Sequence, residues 1–346
     1  MSIITIVNNH WQASHPNPGN SFWDNAAYQT GNMAAYTITK NEAYKQYAEK
    51  WATQNKWMGA TGTDKSKWKY TYGETQDYVL FGDWQIAFQT YIDLYNMDAI
   101  KVPKKIARAK EVMEYEMSTV NNDYWWWVDG LYMVMPVMTK LYHATNNNLY
   151  LIKLWEYFNF ADSLMYDNEE NLFYRDKKYI YPQHKTINGK KDFWARGNGW
   201  VFAALAKVLN DLPKSDTHYD YYLQKYISLA QALKKCQHLE GYWTRSLADE
   251  QHAPGPETSG TAFFTYAYAW GLNQKILNKK EYLPILNKAW QYLTKVALQP
   301  DGAIGYVQPI GEKAIPGQTL KETSTANFGV GAFLLAASEI YHLAQK

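Results

Sequence analysis

Residues 124–142 read YWWWVDGLYMVMPVMTKLY, and their composition decides the fold. After three tryptophans and one acid, Asp129, come Leu131, Tyr132, Met133, Val134, Met135, Val137 and Met138, apolar on every side of a helix. A helix apolar all round is buried all round, and this one is too short and interrupted to span a bilayer. Asp129 therefore stands near the N-terminus of a buried helix, beside indole rings. Asp is a favoured N-cap, which is one reading of it. The other is chemical: a carboxyl group held against indoles is partly desolvated, its pKa rises, and it suits proton donation near neutral pH.

Outward from this helix, buried and amphipathic helical stretches alternate. Residues 23–38, 77–95, 129–143, 197–210, 259–272 and 325–343 are of the buried type. Residues 41–56, 104–117, 149–164, 219–236 and 281–297 each carry a single apolar stripe, such as Tyr44, Tyr47, Ala48, Trp51 and Ala52. With residues 2–13 as a further outer helix, this predicts six inner and six outer helices. A repeated helix pair makes an open solenoid or a closed toroid. Inner helices that are apolar or aromatic all round favour closure, so the expected fold is all-α: one (α/α)6 barrel over 1–346, with short hairpins in loops near 69–73, 173–180, 241–245 and 303–306.

The balance of 35 Lys+Arg against 33 Asp+Glu leaves a net charge of +2 and points to neither nucleic acid nor an anionic membrane as partner. One cysteine, Cys236, allows no internal disulfide and no cysteine-rich metal site. The residues show no HExxH or Cys/His ligand spacing, no Gly-rich phosphate loop and no G-x-S-x-G elbow, so neither a metal nor a cofactor is expected. The first residues lack a basic region followed by a long apolar one. The expectation is a cytoplasmic protein, periplasmic if a leader has been removed, and a monomer or weak homodimer.

The links are unequal. Those leading from inner to outer helices are short, whereas 57–76, 165–193, 239–258 and 297–324, leading back to inner helices, are long. Long loops in compact domains usually carry function, and all of these crowd one mouth of the barrel. Asn25, Asp83, Asp129, Arg196 and Glu257 stand at the inner-helix starts there, among Trp23, Trp68, Trp125, Trp126, Trp127, Trp194 and Trp243. Aromatic platforms beside polar groups suit a sugar. Converging helix N-termini favour an anion. Arg196, in residues 192–201 (DFWARGNGWV), is a cation at the wrong end of a helix dipole and needs a partner: a ligand carboxylate held by its planar fork, or an internal salt bridge to Asp83, Asp129 or Glu257. His184 is a second possible anion contact or a surface residue. Asp83 is a second site carboxylate or a cap, and Glu257 reads as a cap.

Four stretches, WVDGLYMVMPVMTKL, FWARGNGWVFAALAKVL, ETSGTAFFTYAYAWGL and FGVGAFLLAASE, together resemble the unsaturated rhamnogalacturonyl hydrolases of glycoside hydrolase family 105, which are related to the unsaturated glucuronyl hydrolases of family 88. The resemblance runs from Trp23 to Glu339. It implies an (α/α)6 barrel that releases a 4,5-unsaturated uronic acid from the non-reducing end of lyase-generated oligosaccharides. It makes Asp129 the general acid/base with Trp127 and Met133 beside it. Trp194, Arg196, Gly197 and Trp200 would line the sugar site together with Asn25, and Asp83 would be the second acid. A loop histidine that touches substrate in some members falls here on Arg175. Two other readings remain: an inverting hydrolase of saturated glycans working with Asp83 and Asp129, and a non-catalytic sugar-binding barrel.

Overall fold

The computed structural model describes residues 2–345, and the helices follow the alternation closely. The inner ring comprises α2 (Trp23–Thr39), α4 and α5 (Gly82–Gln85 and Ala87–Met97, one helical segment divided at Ile86), α7 (Val128–Thr145), α9 (Ala195–Asp211), α11 (Thr258–Asn273) and α13 (Asn327–Ala344). Each packs on the next, and α13 closes on α2. Outside them lie α1 (Ser2–Ser14), α3 (Glu42–Gln54), α6 (Lys104–Met117), α8 (Leu149–Met165), α10 (Tyr219–Lys235) and α12 (Lys279–Tyr292). The closed toroid is the architecture that the all-round apolar helices require. All sixteen residues of α11 are buried.

Two expectations change in detail. The inner helix expected over 77–95 starts only at Gly82, because 77–81 belong to the loop before it. Of the four hairpins, one region forms paired strands among the described residues: β1 (Tyr166–Asp167) with β2 (Leu172–Phe173). Elsewhere the chain makes single bridges, including Trp243 with Glu257 and Leu298 with Ile304.

Close approach of the inner helices depends on small residues. A β-carbon on Gly31 of α2 would lie 2.2 Å from the Gly331 carbonyl oxygen of α13, so only glycine fits this seam. Pro136 lies inside α7 and cannot donate to the Tyr132 carbonyl one turn back. Gln89 of α5 donates Nε2 to that carbonyl at 2.7 Å, so the lost helical bond becomes a bond between neighbouring helices.

Gly31→Ala tests the closure. It forces α2 from α13 and should cost about 2–3 kcal/mol, at the upper end for overpacking because the obstacle is backbone. The measurement is the shift of the urea unfolding midpoint. An unchanged midpoint would mean that this seam is not tight.

Candidate active site

The amides that open the inner helices have no partner within their own helix. In three consecutive inner helices, the first helical N–H donates to a carbonyl of the long loop that follows. Val128 donates to Arg175, Ala195 to Arg245 and Thr258 to Tyr306, each at 2.9 Å. Bridges between Trp127 and Asp176 and between Trp194 and Ser246 extend the first two joints. The loops are thereby fastened across the helix N-termini, as the unequal link lengths led one to expect.

The second helical residue is the position that faces this end. It is Asp24 in α2, Asp83 in α4 and Asp129 in α7, and all three carboxylates line one cavity of about 640 Å3. That size suits a small sugar ligand. Its deep wall is Trp127 and Met133; Phe22, Trp23 and Trp126 add aromatic surface, and the loops contribute Tyr72, Glu74, Arg175, Lys178, Ile310, Gly311 and Glu312. Trp127 is held by stacking on Phe81, with ring centroids 4.7 Å apart, and by fitting against Gly82 and Gly130, where added β-carbons would approach its ring to 3.2 Å.

Asp129 does not cap its helix: Trp127 holds the N-cap position and α7 has no side-chain cap. Instead Asp129 Oδ2 faces Arg175 Nε at 3.4 Å. Neither of these two buried atoms has a hydrogen-bond partner among the described residues. Burial raises the Asp129 pKa, and the charges of Arg175 and then Arg196 pull it partly back. Asp83 is raised well above the ordinary carboxyl value, first by burial and then by the nearby charge of Asp129. Such a pair of carboxyls, kept protonated to higher pH than usual, is suited to donate protons or hydrogen bonds. At the end of α4, Gln85 donates to the buried carboxyl of Glu116, whose pKa burial pushes up to about 8.

The other residues expected at the site lie elsewhere. Arg196 occupies the same second helical position as the acids, yet it is fully buried and does not line the cavity. Its guanidinium lies over the Trp194 and Phe328 rings, and its terminal nitrogens donate to the carbonyls of Gln308 and Pro309 at 2.8 Å. Among the described residues it makes no salt bridge to Asp83, Asp129 or Glu257; the carbonyls of a later loop take its terminal nitrogens. Trp194 likewise donates to Gln308 Oε1 at 2.8 Å. Gly197 packs against Trp194 and Val128, and Trp200 is a core residue against Tyr132 and Phe263. Asn25 bonds to Asn20 and Asn327 beside the cavity, and His184 bonds to Asp192 at 2.8 Å. None of these lines the cavity. Glu257 is a cap, as read: its side chain accepts from the amides of Ser259 and Gly260 and also from Gln308 N at 3.0 Å. Of the residues that sequence reasoning missed, Asp24 lies in the first turn of α2, whereas Tyr72, Glu74, Lys178 and Glu312 are on loops.

Comparison with known proteins follows the same lines. The model of Glycosyl Hydrolase Family 88 matches residues 1–344. A curated relative from Formosa agariphila, named an unsaturated 3S-rhamnoglycuronyl hydrolase, is 31% identical over 96% of this chain and 88% of its own length. A solved structure of a glycosyl hydrolase family 88 protein from Bacteroides vulgatus is 57% identical with a TM-score of 0.97, covering 99% of this chain and 98% of that one. Another, described as a polysaccharide lyase, is 62% identical with a TM-score of 0.97, covering 100% and 97%. A family 105 hydrolase from C. acetobutylicum shares the fold at 21% identity and a TM-score of 0.76, over 98% of this chain and 99% of that one.

The raised pKa of Asp83 has a consequence for stability whose sign is fixed. Unfolded, this carboxyl ionises near 3.8, whereas in the fold it holds its proton to higher pH. Above that value ionisation favours the unfolded chain, and the cost grows with pH until the folded group ionises too. Asp83→Asn should therefore melt at a higher temperature than the wild type at pH 7, and the difference should disappear as the pH falls below 3.8. Melting curves across that range check it; a variant that melts lower at pH 7 would show that the carboxylate stabilises the fold.

Proposed function

From its membership of glycosyl hydrolase family 88, to which this chain belongs, we propose that it removes a 4,5-unsaturated uronic acid from the non-reducing end of oligosaccharides produced by polysaccharide lyases. The observation that carries this reading is the contact of an acid of raised pKa with an arginine, Asp129 with Arg175. In an unsaturated uronate the carbon to be protonated, C4, is one atom away from the carbon that bears the carboxylate, C5. A proton donor and a carboxylate anchor must then stand next to each other at the bottom of one pocket, as these two do.

Asp129 transfers its proton to C4 of the vinyl ether, and the positive charge is shared by C5 and the ring oxygen. Water adds at C5 and returns a proton to the Asp129 carboxylate. The hemiketal formed opens to a C5 ketone, and the hemiacetal left at C1 expels the rest of the sugar chain. One carboxyl thus serves as acid and base in turn. Arg175 binds the uronate carboxylate, with the helix N-termini adding partial positive charge. Asp83, kept protonated by burial and by the Asp129 charge, donates a hydrogen bond to the ring hydroxyls. Trp127, Met133 and Trp23 present apolar surface to the sugar face.

A lyase is the competing reading suggested by one of the similar structures. A lyase makes the double bond by removing the C5 proton while the C4 oxygen leaves and is protonated, so it requires an ionised base beside C5 as well as a proton donor. The two raised carboxyls at the bottom of the cavity favour the hydrolase. The two reactions move the vinyl-ether absorbance in opposite directions, so one assay separates them.

Asp129→Asn should lower kcat about 10³-fold, the usual scale for loss of a general acid, with little change in melting temperature. Unsaturated disaccharides should lose their vinyl-ether absorbance with the wild-type enzyme, matched saturated ones should remain intact, and in heavy water one deuterium should enter at C4. Cleavage of the saturated disaccharide would instead promote Asp83 and Asp129 as an ordinary acid and base pair. Arg175→Lys should raise KM at least tenfold, since the ammonium lacks the planar fork; an unaltered KM would return the anchor to Arg196.

A further inference from the structure

Seen from the mouth of the cavity, the charges are unbalanced. Five acidic side chains line it, Asp24, Glu74, Asp83, Asp129 and Glu312, against the two cations Arg175 and Lys178, and leaving aside the raised carboxyls Asp83 and Asp129 the acids still outnumber the cations. Both cations are already engaged. Arg175 Nη1 meets Asp176 at 2.6 Å and Glu312 at 3.3 Å, with Asp129 at 3.4 Å from Nε. Lys178 Nζ is 3.1 Å from Glu312 and 3.8 Å from Asp176. A third donor, the Tyr179 hydroxyl, reaches Glu312 at 2.7 Å. Although partial burial opposes it, the hydrogen bonds from Tyr179 and Lys178 and the Arg175 charge hold the Glu312 carboxyl below its ordinary value, so it is ionised at neutral pH.

Depth separates the two sugar positions. Asp83, Trp127 and Met133 are buried at the bottom, whereas Tyr72 is 62% exposed and Ile310 65% exposed at the rim, close to Glu74 and Glu312. The partial positive charge of the helix N-termini acts within the first turn and favours an anion at the bottom only. A sugar attached to the uronate lies further out, between an aromatic ring, an aliphatic side chain and two carboxylates. No cation lining the rim, among the described residues, is without an acidic partner.

We infer that the position next to the unsaturated uronate takes an uncharged sugar and turns away one bearing a sulfate or a second carboxylate, and that Glu312 is the residue that sets this preference. It rests on the hydrolase reading above. Glu312 does two things at once: it opposes a second negative charge arriving at the rim, and it occupies Lys178, which would otherwise receive one, while Arg175, which reaches Asp129 at the bottom, serves the uronate carboxylate.

The test compares two lyase-generated disaccharides with the same unsaturated uronate, one followed by unsubstituted rhamnose and one by rhamnose 3-sulfate. The wild-type enzyme should show kcat/KM at least tenfold higher for the uncharged one, mainly through KM, and added salt should narrow the gap. In Glu312→Gln the ratio should fall about tenfold, and in Glu312→Lys it should fall further or reverse, as expected for a nearby charge in a partly exposed site. Glu312 is 43% exposed on a loop, and melting temperature checks that both variants are folded. Efficient hydrolysis of the sulfated disaccharide by the wild type, or a ratio unmoved in both variants, overturns the inference while leaving the reaction assignment intact. Loss of absorbance from neither disaccharide overturns the reaction and the inference together.

Discussion

The bond on which this site depends is a backbone one: the free amide at the start of an inner helix, satisfied by a carbonyl from the loop one repeat further along. Val128, Ala195 and Thr258 all donate in this way. The helix would otherwise leave a buried donor without a partner, at a cost comparable to a lost hydrogen bond. In meeting that requirement the chain also places Arg175 beside Asp129, since the Arg175 carbonyl is the acceptor for Val128. A structural need of the helix and the geometry of the chemistry are met by one joint.

The same end of the barrel shows why the chemistry is not free of cost. Asp83 and Asp129 are raised by burial, and Asp129 adds its charge to the burden on Asp83. Groups selected to hold protons unusually tightly oppose folding at neutral pH, which is the ordinary conflict between stability and activity. The surrounding packing offsets it. Trp127 is clasped by Phe81, Gly82 and Gly130, and the inner helices approach to backbone distance at Gly31 and Gly331.

The ring of helices was legible from residue order because burial on all sides and burial on one side leave different periodicities. Asp129 and Asp83 were legible for a related reason: an acid just inside an apolar helix stands out. Arg196 stands out equally, but what it reaches does not. Its position in the helix is the same as that of the acids, but its partners are the carbonyls of Gln308 and Pro309, on a loop far along the chain. Backbone acceptors have no signature in the sequence. Lys178 and Glu312 were missed for a similar reason. Neither lies in a periodic segment, and each acquires its role only when two distant loops are brought together.

The joints at Arg175, Arg245 and Tyr306 are made by main-chain atoms, so the side chain at each of these positions is not what holds the loop. Each behaves as a socket in the wall of the barrel whose attachment does not use the side chain, although the φ of 58° at Tyr306 restricts what can stand there. In this chain the first socket presents a guanidinium to the cavity. The second holds Arg245, which is turned to the carbonyls of Pro254 and Gln318, and the third holds a tyrosine. Lineages built on such a frame can change ligand by single substitutions at a socket, with no need to remodel a loop, and enzymes with nearly superimposable backbones can then diverge in what they accept.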